Sequence, residues 1–364
     1  MRVSAEVAGA FVLATFAGCA SSPISLNDQQ ISAVERVARV DMAQQNIPGM
    51  AIGIGLNGTT VYARGFGTRG EGKPVDAGTI FPIGSITKQF TAACVMLLVQ
   101  EGRIKLDGTV AYYVPDAPHG REITVRELLD QTSGLADYTA QPALQRMAGP
   151  HKLARLRPEQ LIALIANQPL RFKPGTKFEY SNTNYVLAGM LVHKVSGEPY
   201  GTFLTKHILE PLKLDRMQYL RTSIPAGPDS ARGYKIVKGH FVALPRFTMS
   251  WALSAGALAS DVGDLIRWDG AFFGGHVVQP ALVRTMTTVP PLPKASERDY
   301  AFGWVVQNVD DHPMIWHNGG LPGAHAMNAY FPQTGWSIVV LTNLYDADPE
   351  DIAKALFAIV RDHR

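Results

Sequence analysis

The spacing of hydrophobic residues changes several times along the chain. Residues 31–45, ISAVERVARVDMAQQ, place apolar side chains at helical intervals and predict a helix. Residues 49–67 instead read as two strands, because runs rich in strand-forming residues flank a turn at Asn57 and Gly58. The first part of the chain is therefore expected to hold a helix followed by a β-hairpin.

Helical spacing returns from Ser85 to about Glu101, where Gly102 is a suitable helix end. The stretch between them, KQFTAACVMLLVQ, is almost wholly apolar after its first two residues. A helix that is apolar on all sides is usually buried. We therefore expect this helix to lie inside the protein.

The rest of the chain divides into two regions of different character. Helix-like segments separated by Pro and Gly run from about residue 113 to 250, and a helix, four strand-like runs and a last helix follow. This order predicts a mixed α+β fold. Residues 28–112 and 250–364 would build a sheet domain flanked by helices, and residues 113–249 would form an inserted, mostly helical domain.

The first predicted hairpin contains the pattern GxGxxG, formed by Gly53, Gly55 and Gly58. In dinucleotide-binding proteins this pattern precedes a helix whose N-terminus receives a pyrophosphate. Here the strand-forming residues 59–62, TTVY, follow it. A nucleotide site at these glycines is therefore not expected.

Composition narrows the class of protein. The chain has 364 residues, 46% hydrophobic and 18% charged, which is typical of a globular protein with a large core. Its net charge of +3 comes without a run of Lys or Arg, so nucleic acid is not an expected partner. The ten histidines show no HExxH spacing, and no CxxC is present. We expect neither a metal nor a cofactor.

Residues 1–18 have the features of an export signal, with Arg2 before a short apolar segment. The segment ends in a sequence similar to the lipobox of bacterial lipoproteins, which implies cleavage before Cys19 and lipid attachment to its thiol. A plain secretory peptide with an incidental cysteine is the alternative. Either reading predicts a protein exported to the bacterial periplasm or anchored to a membrane by lipid, with residues 19–27 as a linker. Cys94 is expected to be a buried, inert thiol.

Ser85 and Lys88 are the first residues with a chemical interpretation. Three positions apart on a helix, they share one face. A lysine that has lost its contact with water has a lowered pKa and serves as a base for a serine nucleophile. The alternative is a helix-capping serine beside a surface lysine, but the apolar helix that follows favours a buried pair.

Two more segments contain candidate residues. In FEYSNTNY, Tyr180 is a candidate proton shuttle and Asn182 a candidate ligand of a substrate amide, the alternative being a packed tyrosine beside a helix-capping asparagine. In IWHNGGLPGAHA, His317 is a candidate donor to a carboxylate, and Gly319 and Gly320 allow close approach of a ligand. Alone, this last stretch also reads as a glycine-rich turn with a solvated histidine.

Taken together, the three motifs resemble those of the penicillin-recognising serine hydrolases, and most closely the class C β-lactamase family. That family also contains D-alanyl-D-alanine carboxypeptidases, D-amino acid peptidases and esterases. Further stretches similar to the family are IFPIGSITKQFTA, LLDQTSGL, KPGTKFEYSNTNYVLAGMLVHKVSG, SAGALASDVGDLIRW and YAFGWVV. The resemblance covers residues 30 to 345. It implies an antiparallel sheet flanked by helices, with a mostly helical domain inserted and the site between them.

The resemblance also implies roles for individual residues. Ser85 would be the acylated nucleophile, Lys88 its activating partner and Tyr180 the proton shuttle. Asn182 would anchor the substrate amide, and His317 with Gly319 would fill the third motif. The backbone N–H groups of Ser85 and Gly320 would form the oxyanion hole.

This implies a serine hydrolase that needs no cofactor and acts on a peptide ending in D-alanine, a small ester or a β-lactam. Two positions depart from the family pattern. Class C β-lactamases carry Lys where this chain has His317, which favours a carboxypeptidase, peptidase or esterase over a β-lactamase. Gln131 stands where the family more often has His, a difference for which the sequence offers no physical account. A catalytically inert, peptidoglycan-binding member of the fold is the alternative of another class.

Overall fold

The structure is a computed structural model that describes residues 25–148, 155–220, 223–224, 227–245, 247–293 and 299–361. The predicted signal peptide at residues 1–18 and the predicted lipidation site at Cys19 lie outside the described residues. Both therefore stay predictions.

The helices alternate with loops through the whole described chain. They are α1 Asp28–Gln45, α2 Thr87–Gln100, α3 Val110–Tyr113, α4 Val125–Leu129, α5 Pro142–Ala148, α6 Pro158–Ile162, α7 Asn182–Ser196, α8 Tyr200–Leu204, α9 Leu253–Gly256, α10 Val262–Phe273, α11 Pro280–Thr287 and α12 Pro349–Val360. Short 3₁₀ turns cover Gly84–Ile86 and Tyr138–Ala140, and a π-helical turn follows α8 at Thr205–Leu209.

The strands lie mainly near the two ends of the described chain. They are β1 Gly49–Leu56, β2 Thr59–Gly70, β3 Lys73–Pro74, β4 Phe81–Pro82, β5 Gln218–Tyr219, β6 Ser223–Ile224, β7 Tyr234–Val237, β8 His240–Ala243, β9 Phe247–Thr248, β10 Leu258–Ser260, β11 Val305–Val309, β12 His312–Leu321, β13 Ala324–Phe331 and β14 Trp336–Thr342.

The main sheet joins strands from both ends of the chain. Within the described residues it has the order β11-β12-β13-β14-β1-β2-β3, and each neighbouring pair is antiparallel. Strand β1 pairs with β2 through the expected hairpin, whose turn residues Asn57 and Gly58 have φ of 49° and 80°. Positive φ at both positions fits a turn whose twist matches that of the strands.

Alternation along β1 divides its side chains between two layers. Met50, Ile52 and Ile54 are fully buried in a core shared with α1 and α12, whereas Ala51 belongs to the core on the opposite face. Helix α10 covers that opposite face. A Cβ added to Gly53 would lie 2.7 Å from Val262 Cβ of α10. This GxGxxG glycine therefore permits close packing of a helix on the sheet.

Helix α2 connects the sheet side of the molecule to the helical side. It packs against α7, and its Phe90 ring stacks on Trp268 of α10 with centroids 4.0 Å apart. Trp268 also donates a hydrogen bond of 3.1 Å to Gln89. Each large apolar side chain buried here contributes about 1.5–3 kcal/mol to stability. The helix that carries Lys88 is thus held on two sides.

The observed architecture confirms a mixed fold with an antiparallel sheet flanked by helices. The division into domains with boundaries at residues 112 and 250 stays a prediction. Two features were not expected from the sequence: the hairpin β7–β8 within the mostly helical region, and helix α11. Cys94 is buried as expected, and burial raises the pKa of its thiol well above the usual value. In the described ranges, no helix combines the length and apolar character needed to cross a membrane.

Candidate active site

Ser85 lies in the 3₁₀ turn that leads into α2. Gly84, with φ of +50°, adopts a backbone conformation that residues with a side chain rarely take. Its nearest neighbours include the backbone of Gly319 and Gly320 in β12. This close approach brings Ser85 beside β12, with its side chain half-buried.

Lys88 is buried completely and has three polar partners. Its Nζ lies 3.0 Å from Ser85 Oγ, 2.8 Å from Asn182 Oδ1 and 2.7 Å from the carbonyl oxygen of Ala255. These partners come from the turn before α2, from α7 and from α9. The tertiary fold therefore fixes the amine at hydrogen-bond distance from the hydroxyl.

Burial changes the acid–base chemistry of Lys88. Loss of water around the amine lowers its pKa from 10.5 to about 7, and the negative charge of Asp137 partly opposes this shift. An amine with this pKa is partly unprotonated near neutral pH. Lys88 can thus accept a proton from Ser85.

Tyr180 and Asn182 meet the same lysine from the start of α7. The Tyr180 ring centroid lies 4.8 Å from Lys88 Nζ. Asn182 accepts a hydrogen bond from Lys88 through Oδ1 and donates one of 3.0 Å to Asp137 through Nδ2. The structure therefore brings together Ser85, Lys88, Tyr180 and Asn182, and it adds Asp137, which the sequence analysis did not single out.

Gln131 holds the segment on both sides of Tyr180. Its backbone oxygen accepts a hydrogen bond of 3.1 Å from Glu179 N, and its side-chain oxygen accepts one of 3.0 Å from Ser181 N. The side-chain oxygen also accepts a 2.6 Å hydrogen bond from Asn184 Nδ2. Gln131 thus positions Tyr180, which gives a physical account of the departure noted in the sequence.

His317 lies on β12, on the strand face opposite to His312. Only 1% of His317 is exposed. Its Nε2 is 3.1 Å from the Tyr300 hydroxyl and its Nδ1 is 2.5 Å from the carbonyl oxygen of Asn318. The imidazole ring lies behind Tyr180, with ring centroids 6.2 Å apart. Its role as a ligand of a substrate carboxylate stays a prediction.

Gly319 and Gly320 occupy different environments on the same strand. A Cβ on Gly319 would overlap the carbonyl oxygen of Ile83 and lie 2.8 Å from Ser85 N, so a side chain has no room there. The atoms nearest to a Cβ on Gly320 would belong to Tyr345, an exposed ring. The backbone N–H groups of Ser85 and Gly320 remain the predicted oxyanion hole.

A cavity of about 610 Å³ opens at Ser85. Its lining includes Ser85, Asn182 and Gly320 together with residues that no sequence pattern indicated, among them Tyr138, Thr139, Tyr234, Trp251 and Tyr345. Lys88 and His317 do not appear in this lining, because they lie beneath its surface. In the described part of the chain, no three His, Cys, Asp or Glu side chains are grouped so that they could hold a metal ion.

A family model described as Beta-lactamase matches residues 34–361. This chain belongs to the β-lactamase family. The predicted resemblance is thereby confirmed, and the family lies in the superfamily of β-lactamases and penicillin-binding proteins, which are serine hydrolases.

Three relatives of this β-lactamase family member illustrate the similarity. Protein flp of Staphylococcus aureus strain MW2 is 30% identical over 331 residues, which are 87% of this chain and 64% of that protein. The octameric penicillin-binding protein homologue from Pyrococcus abyssi is 30% identical with a TM-score of 0.79, over 91% of this chain and 77% of its own. A D-stereospecific amidohydrolase from a Streptomyces species is 29% identical with a TM-score of 0.80, over 90% of this chain and 98% of the amidohydrolase chain.

The staphylococcal comparison also sets a limit. This chain spans 64% of the length of that curated relative. The activity and substrates of the whole protein are therefore proposals.

Proposed function

We propose that the protein is a serine hydrolase that forms an acyl-enzyme on Ser85 and releases the acyl group to water. The observation that carries this proposal is the 3.0 Å contact between Ser85 Oγ and the buried amine of Lys88. A neutral amine at that distance accepts the hydroxyl proton as the oxygen attacks a carbonyl carbon.

The remaining residues support a complete reaction. Ser85 Oγ forms a bond to the carbonyl carbon while its proton passes to Lys88 Nζ, and the backbone N–H groups of Ser85 and Gly320 stabilise the oxyanion. Tyr180 passes the proton on to the leaving nitrogen or oxygen as its bond to carbon breaks. Water then forms a bond to the ester carbon on Ser85 while its proton passes to Tyr180 and Lys88. The bond between this carbon and Ser85 Oγ breaks, Oγ takes up the proton, and the acid is released.

The substrate we propose is a peptide or amide that contains a D-residue, such as a peptide ending in D-alanine, or a small ester. Similarity to the D-stereospecific amidohydrolase over 90% of this chain supports an amide. The Asn182 side chain, held by Lys88 and Asp137, faces the cavity and can bind such an amide. A β-lactamase is the second candidate, because the family match itself supports recognition of a β-lactam.

Intact-protein mass spectrometry after incubation with benzylpenicillin tests the mechanism and separates these candidates. We expect an adduct on the wild type that is absent from Ser85→Ala, with slow loss of the adduct. Rapid consumption of benzylpenicillin without an adduct would favour the β-lactamase. Hydrolysis of D- and L-alanine p-nitroanilides is then compared with that of a p-nitrophenyl ester, which distinguishes an amidase from an esterase. Absence of reaction with all of these compounds would favour the catalytically inert, peptidoglycan-binding alternative.

We also propose export with lipid attachment at Cys19. The lipobox-like sequence before Cys19 supports this proposal. Metabolic labelling of cells with palmitate should mark the wild type and not Cys19→Ser. Secretion of an unlabelled wild-type protein would instead favour a plain secretory peptide.

A further inference from the structure

A second cavity, of about 720 Å³, opens in the helical region away from Ser85. Segments from α6, α7 and α8, from the start of α9 and from the chain just before α9 surround it. Its volume falls within the range of about 300–1,000 Å³ that is usual for sites that bind small molecules. Ser85, Lys88, Tyr180 and Asn182 take no part in its lining.

The inner wall of this second cavity is apolar. Leu156, Val186, Tyr200 and Leu253 are buried there, and Met190 is half-buried. An apolar wall that a ligand covers releases water from both surfaces, which favours binding. The wall therefore suits the hydrocarbon part of a ligand.

The rim of the second cavity is basic. Arg155, Arg157 and Lys194 are exposed at its edge, and Glu159 is the one acidic residue in its lining. Among the described residues, none of these three basic side chains forms a salt bridge. Three positive charges against one negative charge attract an anion to the opening.

We propose that the second cavity binds an amphiphilic anion, in which a carboxylate or phosphate head is joined to an aliphatic chain. The head would lie at Arg155, Arg157 and Lys194, and the chain along the wall that includes Val186 and Leu253. A fatty acid and a lipid phosphate share this chemistry.

One short segment separates the second cavity from the one at Ser85. Residues of this segment face the two cavities in turn. The second cavity is lined by Ser250, Leu253 and Ser254, and the catalytic cavity by Trp251 and Ala255. Leu253 has φ of +43°, a conformation that is strained for leucine. A ligand in the second cavity would thus touch the segment that forms the back of the catalytic cavity.

The same segment holds the catalytic lysine. Ala255 O accepts a 2.7 Å hydrogen bond from Lys88 Nζ. The neighbouring Ser254 is bonded to both adjacent helices. Its carbonyl oxygen accepts a 2.6 Å hydrogen bond from Thr91 Oγ1 of α2, and its Oγ donates one of 2.8 Å to Tyr185 O of α7. Occupancy of the second cavity should therefore alter turnover without competing with substrate. This coupling rests on the proposed function, whereas binding itself does not.

Isothermal titration of the full-length protein with decanoate, below its micelle concentration, tests binding. Wild type and Ser85→Ala should bind equally well. The triple variant Arg155→Gln, Arg157→Gln, Lys194→Gln should bind roughly tenfold more weakly, since exposed ionic contacts contribute little individually and add up over three sites. Equal binding by this variant would overturn the proposal.

A second triple variant serves as the matched control. Arg36, Lys105 and Arg121 are exposed and line neither cavity, so their replacement by Gln removes the same charge elsewhere. This control should bind decanoate as the wild type does. A tenfold loss in the control as well would show that only overall charge matters, which contradicts a built site.

Three further ligands separate the contributions of head and chain. Butyrate should bind much more weakly than decanoate, because each methylene covered contributes about 0.8 kcal/mol. Decanol should also bind more weakly, because it has no charge. Butyrate or decanol binding as tightly as decanoate would contradict the proposal, and the tighter of decanoate and decyl phosphate identifies the head group.

Turnover measured with and without saturating decanoate tests the coupling. We expect a changed kcat for any substrate that the wild type hydrolyses. The Arg155, Arg157, Lys194 triple variant should need a roughly tenfold higher decanoate concentration to reach half of this effect. An increase in KM alone would indicate competition at the catalytic cavity and overturn the coupling. If hydrolysis is never detected, the proposed function fails, while the calorimetry still decides on the second site.

Discussion

Lys88 Nζ lies 3.0 Å from Ser85 Oγ in a position that water does not reach. Burial supplies the chemistry here, because the same lysine in water would stay protonated at neutral pH and could not accept a proton. Asp137 moderates the effect by its negative charge. The pKa of Lys88 is therefore set by two opposing causes that mutation can separate.

The first prediction concerns the pH dependence of hydrolysis. In the proposed mechanism the unprotonated amine of Lys88 is the base, so kcat/KM should rise with pH and level off above the Lys88 pKa of about 7. The negative charge of Asp137 raises the pKa of Lys88, and Asp137→Asn removes this charge. The pH at which kcat/KM reaches half of its plateau should therefore be lower in this variant. Stopped assays across pH 5 to 9, on whichever substrate is found, measure the midpoint.

Asp116→Asn is the matched control for this experiment. Asp116 is an exposed carboxylate that does not line the catalytic cavity. Its variant should retain the wild-type midpoint. A midpoint in Asp137→Asn that stays in place, or moves to higher pH, would contradict the assignment of Lys88 as the base.

The second prediction concerns stability. Between pH 7 and about 10.5 the unfolded chain binds a proton at Lys88 that the folded chain does not, so wild-type stability should rise with pH in this window. The lowered pKa means that burying the Lys88 amine costs roughly 4 kcal/mol of folding free energy near pH 7. Lys88→Met removes this cost but also loses three hydrogen bonds worth about 0.5–1.5 kcal/mol each.

Thermal unfolding should therefore show Lys88→Met to be more stable than wild type at pH 7. The difference should narrow or reverse as the pH approaches 10. If the stability of wild type relative to Lys88→Met does not rise between pH 7 and 10, the buried amine does not destabilise the fold. Lys105→Met, at an exposed position, should leave the pH dependence unchanged.

The third prediction concerns Gln131 as a positioning residue. Gln131→Met keeps the size of the side chain but removes the oxygen that accepts from Ser181 N and Asn184 Nδ2. Tyr180 should lose its fixed position, so kcat should fall by about tenfold or more, with a smaller change in KM.

Gln131→His provides the test of mechanism. A histidine nitrogen can accept a hydrogen bond, and histidine tolerates positive φ better than most residues, which matters because Gln131 has φ of +65°. We expect this variant to recover most of the lost kcat. If both variants lose kcat and thermal stability equally, Gln131 acts only on folding.

The grouping of several candidate-site residues could be predicted from the sequence because these residues lie in short motifs at helix ends. Ser85 and Lys88 share a helix face by spacing alone, and Asn182 begins α7 as a polar residue before an apolar run. The antiparallel sheet was also predictable, since strand β1 and its partner β2 flank a turn with two positive-φ positions.

The sequence was less informative where the chain contributes single residues from loops. Trp251 and Tyr345 line the cavity, and Asp137 accepts a hydrogen bond from Asn182. These residues come from distant positions in the chain, and no periodic pattern marks them. The environment of His317 was equally hidden, because its burial against Tyr300 depends on the packing of non-adjacent segments. The hairpin β7–β8 was missed because its strands are four residues each and largely exposed.

The fourth prediction compares the two adjacent glycines of β12. Gly319→Ala would press a Cβ into the backbone of Ile83 and Ser85, atoms that cannot rotate away. Overpacking against a rigid neighbour costs about 1–3 kcal/mol or more. Thermal unfolding of this variant should therefore begin at a clearly lower temperature than that of the wild type.

Gly320→Ala is the matched comparison, because its Cβ would lie 3.0 Å from Tyr345 Cε2, and this ring is 55% exposed and can move into solvent. Its free energy of unfolding should change by less than about 1 kcal/mol. Equal destabilisation by the two substitutions would show that β12 does not press against the Ser85 turn. The close approach that places Ser85 N beside this strand, and with it the predicted oxyanion hole, would then need revision.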